Sequence, residues 1–122
     1  MKGKPFSLKD RIRSFKFAVE GVYFFFRFEH NAWIHLAATI AVLILSWFYH
    51  IHPLEWIAVL ISIGIVILSE MLNTSIEKIM DHLSPAIHPQ VKIIKDLASA
   101  SVLIAAVIAL VVGLIIFLPR IA

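Results

Sequence analysis

Three runs in this chain are too long and too apolar to be covered by anything the chain can fold over them. Ala32–Tyr49 holds His35 as its only group ionising near neutral pH, Trp56–Ser69 holds no ionisable side chain, and Leu97–Pro119 holds none either. Runs of roughly 18 or more apolar residues mark helices that cross a bilayer. A soluble bundle shows apolar stripes with polar faces between them; these runs are apolar all round. With 122 residues and 61% hydrophobic content, the chain makes one membrane domain. The predicted architecture is all-α, with an N-terminal amphipathic surface helix over about 7–28 followed by three transmembrane helices. The spans fall at about 31–49, at 54–70 with an extension to 83, and at 96–118.

The segments between the runs fit that frame. Ser7 with Asp10 three residues on is a helix N-cap arrangement. Leu8, Ile12, Phe15, Val19, Val22 and Phe26 then recur at spacings of four and three, with Lys9, Arg11, Arg13 and Lys16 mostly off that stripe. Such a basic amphipathic helix lies on a membrane surface and does not cross it. Tyr23–Phe28 turns aromatic, and Trp33, Trp47 and Trp56 suit interfacial belts. His50-Ile51-His52 with Pro53 makes a short connection, its imidazoles read as plain interfacial histidines. Ser84–Pro89 makes a loop with two prolines, and the third span is expected to end at Pro119.

Charge sets the orientation. Six of the eleven Lys and Arg lie in Lys2–Lys16, the 50–53 connection has none, and the 82–96 connection carries Lys92 and Lys95. Positive loops stay inside, so the N-terminus and the 82–96 loop are expected in the cytoplasm. The net charge of +3 then reflects topology and anionic lipid, and no nucleic-acid partner is expected. No cleavable signal peptide is expected, because the first apolar run begins too far in. The lack of cysteine removes disulfides and thiolate metal sites.

The polar residues that break the pattern gather in Ser69–Asp81. On one helix Glu70, Asn73, Glu77 and Asp81 share a face, with Glu70 about 10.5 Å from Glu77 along the axis. Glu29, before the first span, and Lys95-Asp96, at the start of the third, fall on the same side of the membrane as Glu77. Carboxylates at bilayer depth are costly and usually functional. Paired glutamates suit a hard cation such as Mg²⁺ shared with substrate phosphates, and a deeper carboxylate suits a general base. The set allows Mg-assisted phosphoryl transfer to a lipid hydroxyl; it equally allows a cation pathway.

Four blocks resemble the small bacterial membrane diacylglycerol kinase and undecaprenol kinase family. These are Glu70-Met-Leu-Asn73-Thr74-Ser75-Ile76-Glu77 with Asp81, Lys95-Asp96-Leu-Ala-Ser99-Ala, Glu29-His-Asn31-Ala-Trp-Ile-His35-Leu, and Ser14-Phe-Lys-Phe17-Ala18 with Gly21. They occur in the family's order across essentially the whole chain, with Ser75 where alanine is usual. The resemblance implies a homotrimeric lipid kinase with active sites shared between chains, using ATP and Mg²⁺. It implies Glu70 as general base, Glu29 and Glu77 as metal ligands, and Phe17, Glu29, Asn73, Glu77, Asp81, His88, Lys95 and Asp96 around the nucleotide. Ser99 would lie near the lipid with Glu70. The implied substrate is diacylglycerol, giving phosphatidic acid, with undecaprenol a near-equal option because Glu29, Asn31 and His35 look more like that branch.

Simpler readings stand beside these. Glu70 alone fits a helix-end carboxylate bonded to a neighbouring helix, Glu77 and Asp81 a solvated helix end, and Lys95 with Asp96 an interfacial anchor and a cap. A small oligomeric cation channel or proton-coupled exporter is the alternative function. It needs polar groups through the whole second span, where Trp56–Leu68 offers only Ser62 and Gly64. No P-loop is present, which phosphoryl transfer tolerates because positioning and charge stabilisation do most of the work.

Overall fold

A computed structural model describes residues 3, 5–83 and 88–122, and among these all regular structure is helical. The helices are α1 (Leu8–Phe28), α2 (His30–Phe48), α3 (Pro53–Leu83) and α4 (Pro89–Ile121). The last three are long and apolar enough to cross a membrane. Most of their Leu, Ile and Val side chains are exposed on the isolated chain, among them Ile44, Leu60, Ile61, Leu103 and Ile104. A surface of that kind is stable against lipid or a further apolar partner and not against water. The chain is a multi-pass membrane protein.

Contacts divide it into two units, Met1–Trp33 and Ile34–Ala122. In the first, Ser7 caps α1 by accepting the Asp10 N–H at 3.3 Å. The helix stops at Glu29, whose backbone is extended (φ −96°, ψ 121°). Glu29 donates its N–H to Phe25 O and accepts the Ala32 N–H on its carbonyl, so it closes one helix and opens the next. One residue thus separates α1 from α2.

In the second unit α2, α3 and α4 run antiparallel in turn. Ile51, Val59, Ile116 and Phe117 form a buried cluster, with Val42, Leu45, Tyr49 and Trp56 packed on it. The turn into α3 is tight. Ile51 N–H bonds Ser46 O and His50 N–H bonds Trp47 O, with His50 in the left-handed region at φ 49°. This is a Schellman ending in which Ile51 folds back onto the helix it leaves.

Two of the three prolines read as loop residues, Pro53 and Pro89, turn out to open helices, and the third, Pro85, lies outside the described residues. His52 and His88 are the caps, and Pro53 and Pro89 take the first helical position, where no N–H is needed. His52 Nδ1 accepts the Leu54 N–H, while Glu55 reaches back to accept the His52 N–H at 2.9 Å. His88 Nδ1 accepts the Gln90 N–H in the same way. Pro119 does not end α4, which continues to Ile121. A proline so close to the end forfeits one bond of a fraying turn, and Ala122 N–H still reaches Leu118 O.

The buried serines inside the spans are satisfied within their own helix. Ser46 and Ser62 are buried and donate to Val42 O and Ala58 O, each at 2.8 Å.

Candidate functional site

α3 has 31 residues and so is about 46 Å long, against a hydrocarbon thickness of about 30 Å. Glu70 lies about 26 Å along it, near where the helix leaves the apolar layer. It is only 6% exposed. His35, in the first turns of α2, meets it with Nε2 at 2.8 Å from Oε1. A buried polar side chain without a partner is costly, and this contact supplies the partner of the Glu70 carboxyl. The sequence had not assigned His35 a partner. Its signal was present, since His35 is the one ionisable side chain in an otherwise apolar stretch.

One turn further on, Asn73 donates Nδ2–H to Glu77 Oε1 at 3.2 Å. Its Oδ1 is buried without a hydrogen-bond partner. A buried acceptor left unmatched is rare and costs about 1–3 kcal/mol. It is a hard oxygen donor, as is the half-buried Glu77 carboxylate, and Mg²⁺ prefers that class. No group of three or more His, Cys, Asp or Glu able to hold a metal occurs among the described residues. Mg²⁺ sites that use one or two carboxylates and complete the shell from phosphates need no such group.

Asp81, exposed on the last turn of α3, pairs with Lys95 on α4. Lys95 is followed by Asp96, which pairs with Lys92 one turn back. The face expected from spacing is therefore real: Glu70 is buried, Asn73 and Glu77 are half-buried, and Asp81 is exposed. Its exposed end is tied to α4 by a lysine. Ser99 is exposed on α4, and His88 caps that helix. Of the expected loop, 84–87 lies outside the described residues. Phe17 is exposed on α1 and Glu29 sits at the α1–α2 break, both within the first unit.

The second unit also holds an apolar cleft of about 250 Å³ among α2, α3 and α4. It begins at His35 and Thr39, passes Val66 and Val59, and ends at Phe117. The histidine that holds Glu70 is thus part of the wall of a hydrocarbon-lined space.

At the opposite end of α3 a different contact appears that the spacing did not suggest. Arg120 bonds both carboxylate oxygens of Glu55, at 2.6 and 3.0 Å, and also donates to Ile116 O. The partners of Glu55 are the Arg120 guanidinium and the His52 backbone N–H.

The profile of the family described as "Prokaryotic diacylglycerol kinase" matches residues 16–117. The chain is 38% identical over 108 residues to a protein of Bacillus subtilis (strain 168) named "Undecaprenol kinase", covering 88% of each chain. It is 32% identical over 107 residues to a protein of Synechocystis sp. (strain ATCC 27184 / PCC 6803 / Kazusa) named "Diacylglycerol kinase". That match covers 87% of this chain and 61% of the Synechocystis protein's length.

Proposed function

Since the chain belongs to the prokaryotic diacylglycerol kinase family and is a membrane lipid kinase, we propose that it moves the γ-phosphoryl group of ATP to the primary hydroxyl of a lipid alcohol at the cytoplasmic face of the cytoplasmic membrane. The observation that carries this reading is Glu70, a buried carboxylate held by His35 at the head of an apolar cleft. A base in that position meets a hydroxyl whose tail is dissolved in hydrocarbon, and it does so at the edge where a soluble nucleotide can arrive. A channel gains no support, since the buried serines of the spans are spent on their own backbones.

In this mechanism Glu70 accepts the proton of the lipid hydroxyl as its oxygen bonds the γ-phosphorus, while the bond to the β–γ bridging oxygen breaks and ADP leaves. Glu29 and Glu77 are the metal ligands, and the orphaned Asn73 Oδ1 fits the same donor class. Bound Mg²⁺ offsets the negative charge of the phosphates. Lys95 contributes a cation to the phosphates, and Asp81 and Asp96 hold lysines on that face. Phe17 and His88 border the nucleotide, and Ser99 the lipid. The working unit is a homotrimer with sites shared between chains.

Undecaprenol is the first choice of acceptor, supported by the higher identity to the Bacillus subtilis protein over 88% of both chains. Diacylglycerol is the second, supported by the name of the Synechocystis relative. Purified protein with labelled ATP, Mg²⁺ and the two lipids in competition tests both. Preferential labelling of undecaprenol is expected; preference for diacylglycerol reverses the order, and labelling of neither refutes the kinase reading.

A further inference from the structure

Glu70 has one hydrogen-bond partner among the described residues, and it lies on another helix. His35 Nε2 stands 2.8 Å from Oε1, and the pair is enclosed: Glu70 is 6% exposed and the His35 side chain 22%. A glutamate's terminal torsion is broad and roughly two-fold, so nothing in its own side chain chooses which oxygen faces the substrate. Three neighbouring polar groups of α3 are engaged elsewhere. Ser69 donates to Val66 O, Asn73 to Glu77, and Asp81 is taken up by Lys95. His35 also lines the apolar cleft, so it fixes the carboxylate from the side where hydrocarbon lies.

We propose that His35 is a positioning residue for phosphoryl transfer, its Nε2–H holding Oε1 of Glu70 so that Oε2 is the oxygen that takes the lipid hydroxyl proton. The inference rests on the lipid-kinase reading with Glu70 as base. In the transfer step the hydroxyl proton passes to Oε2, the lipid oxygen bonds the γ-phosphorus, the bond to the bridging oxygen breaks, and its electron pair leaves with ADP. Glu70 keeps its bond to His35 on Oε1 throughout. Holding a reacting group within a fraction of an ångström is worth about 10²-fold in rate, and that is the scale on which losing His35 registers.

Side-chain length supplies the test. The amide nitrogen of glutamine reaches about as far as imidazole Nε2, whereas that of asparagine stops near Nδ1. Wild type, His35→Gln, His35→Asn and His35→Leu are purified in detergent, their helicity is compared, and kcat and KM for ATP are measured with undecaprenol and diacylglycerol. His35→Leu is expected to lower kcat about 10–100-fold with KM for ATP little changed. His35→Gln is expected to recover most of the turnover and His35→Asn to resemble leucine. In a Glu70→Gln background, His35→Leu should cost nothing further, because the residue acts only through Glu70.

Equal losses in the glutamine and leucine variants, wild-type kcat in His35→Leu, or additive losses with Glu70→Gln would each overturn the proposal. If His35→Leu does not fold, the comparison of glutamine with asparagine decides alone: a difference between them supports positioning, and none refutes it. Wild-type protein that phosphorylates neither lipid refutes the underlying kinase reading, whatever His35 does.

Discussion

Asn73 turns its amide nitrogen toward Glu77 and leaves its carbonyl oxygen buried and unmatched. Proteins seldom tolerate such an atom unless something else satisfies it. Asn73→Ala and Glu77→Gln are therefore expected to raise the Mg²⁺ concentration needed for half-maximal phosphorylation by about 10–100-fold, the usual cost of losing a ligand's supporting partner. Glu29→Gln should move it in the same direction. The check is a Mg²⁺ titration at fixed ATP; an unshifted midpoint in all three removes these residues from the metal site.

Glu70→Gln keeps the side chain's shape and its ability to bond His35, and it removes the group that takes a proton. Turnover is expected to drop about 10²–10⁴-fold. Helix content measured by circular dichroism should stay at the wild-type level. A variant that phosphorylates lipid at the normal rate means that the base lies elsewhere.

Lys95 is held by Asp81 across the α3–α4 pair. If it turns to the phosphates in use, Lys95→Met removes a charge-assisted hydrogen bond worth about 1.5–3 kcal/mol, and KM for ATP rises about 10–100-fold. Lys95→Arg should lose less. Initial rates over an ATP series measure this, and a KM that does not move shows that Lys95 serves only to tie α4 to α3.

His50 occupies a left-handed backbone position that suits glycine better than any residue with a Cβ. His50→Gly is expected to stabilise the protein by about 1 kcal/mol, and a β-branched substitution such as His50→Val to destabilise it. Thermal unfolding in detergent should place the glycine variant a few degrees higher. A lower melting point for it means that the imidazole makes a favourable contact of its own.

Much of the fold was legible because membrane helices are written as runs. The boundaries expected at 31, 49 and 83 fall within a residue or so of His30, Phe48 and Leu83. The spacing that put Glu70, Asn73, Glu77 and Asp81 on one face survives as a graded series from buried to exposed. What the pattern could not show was which long-range partner each charge takes. Glu70 meets His35 from a different helix, and Glu55 meets Arg120 across 65 residues. Periodicity describes one helix at a time, and such pairings depend on how two helices are set against each other. The histidine–proline pairs misled for a local reason: His52-Pro53 and His88-Pro89 look like turns, yet imidazole Nδ1 is an adequate cap acceptor and proline a good first helical residue.

α3 and α4 are joined by ion pairs at both ends, Asp81 with Lys95 at one and Glu55 with Arg120 at the other, about 38 Å apart by helical rise. Between them, beyond Ser101, α4 is hydrocarbon, in which leucine, isoleucine and valine are close to interchangeable. The identity of those residues can drift, but their count cannot. Adding one residue would swing Arg120 about 100° around the helix and lift it about 1.5 Å, away from Glu55. Adding seven would restore the direction and still leave it about 10.5 Å too far along. The apolar middle of α4 works as a spacer of set length, and its sequence is held to a ruler more strictly than to an alphabet.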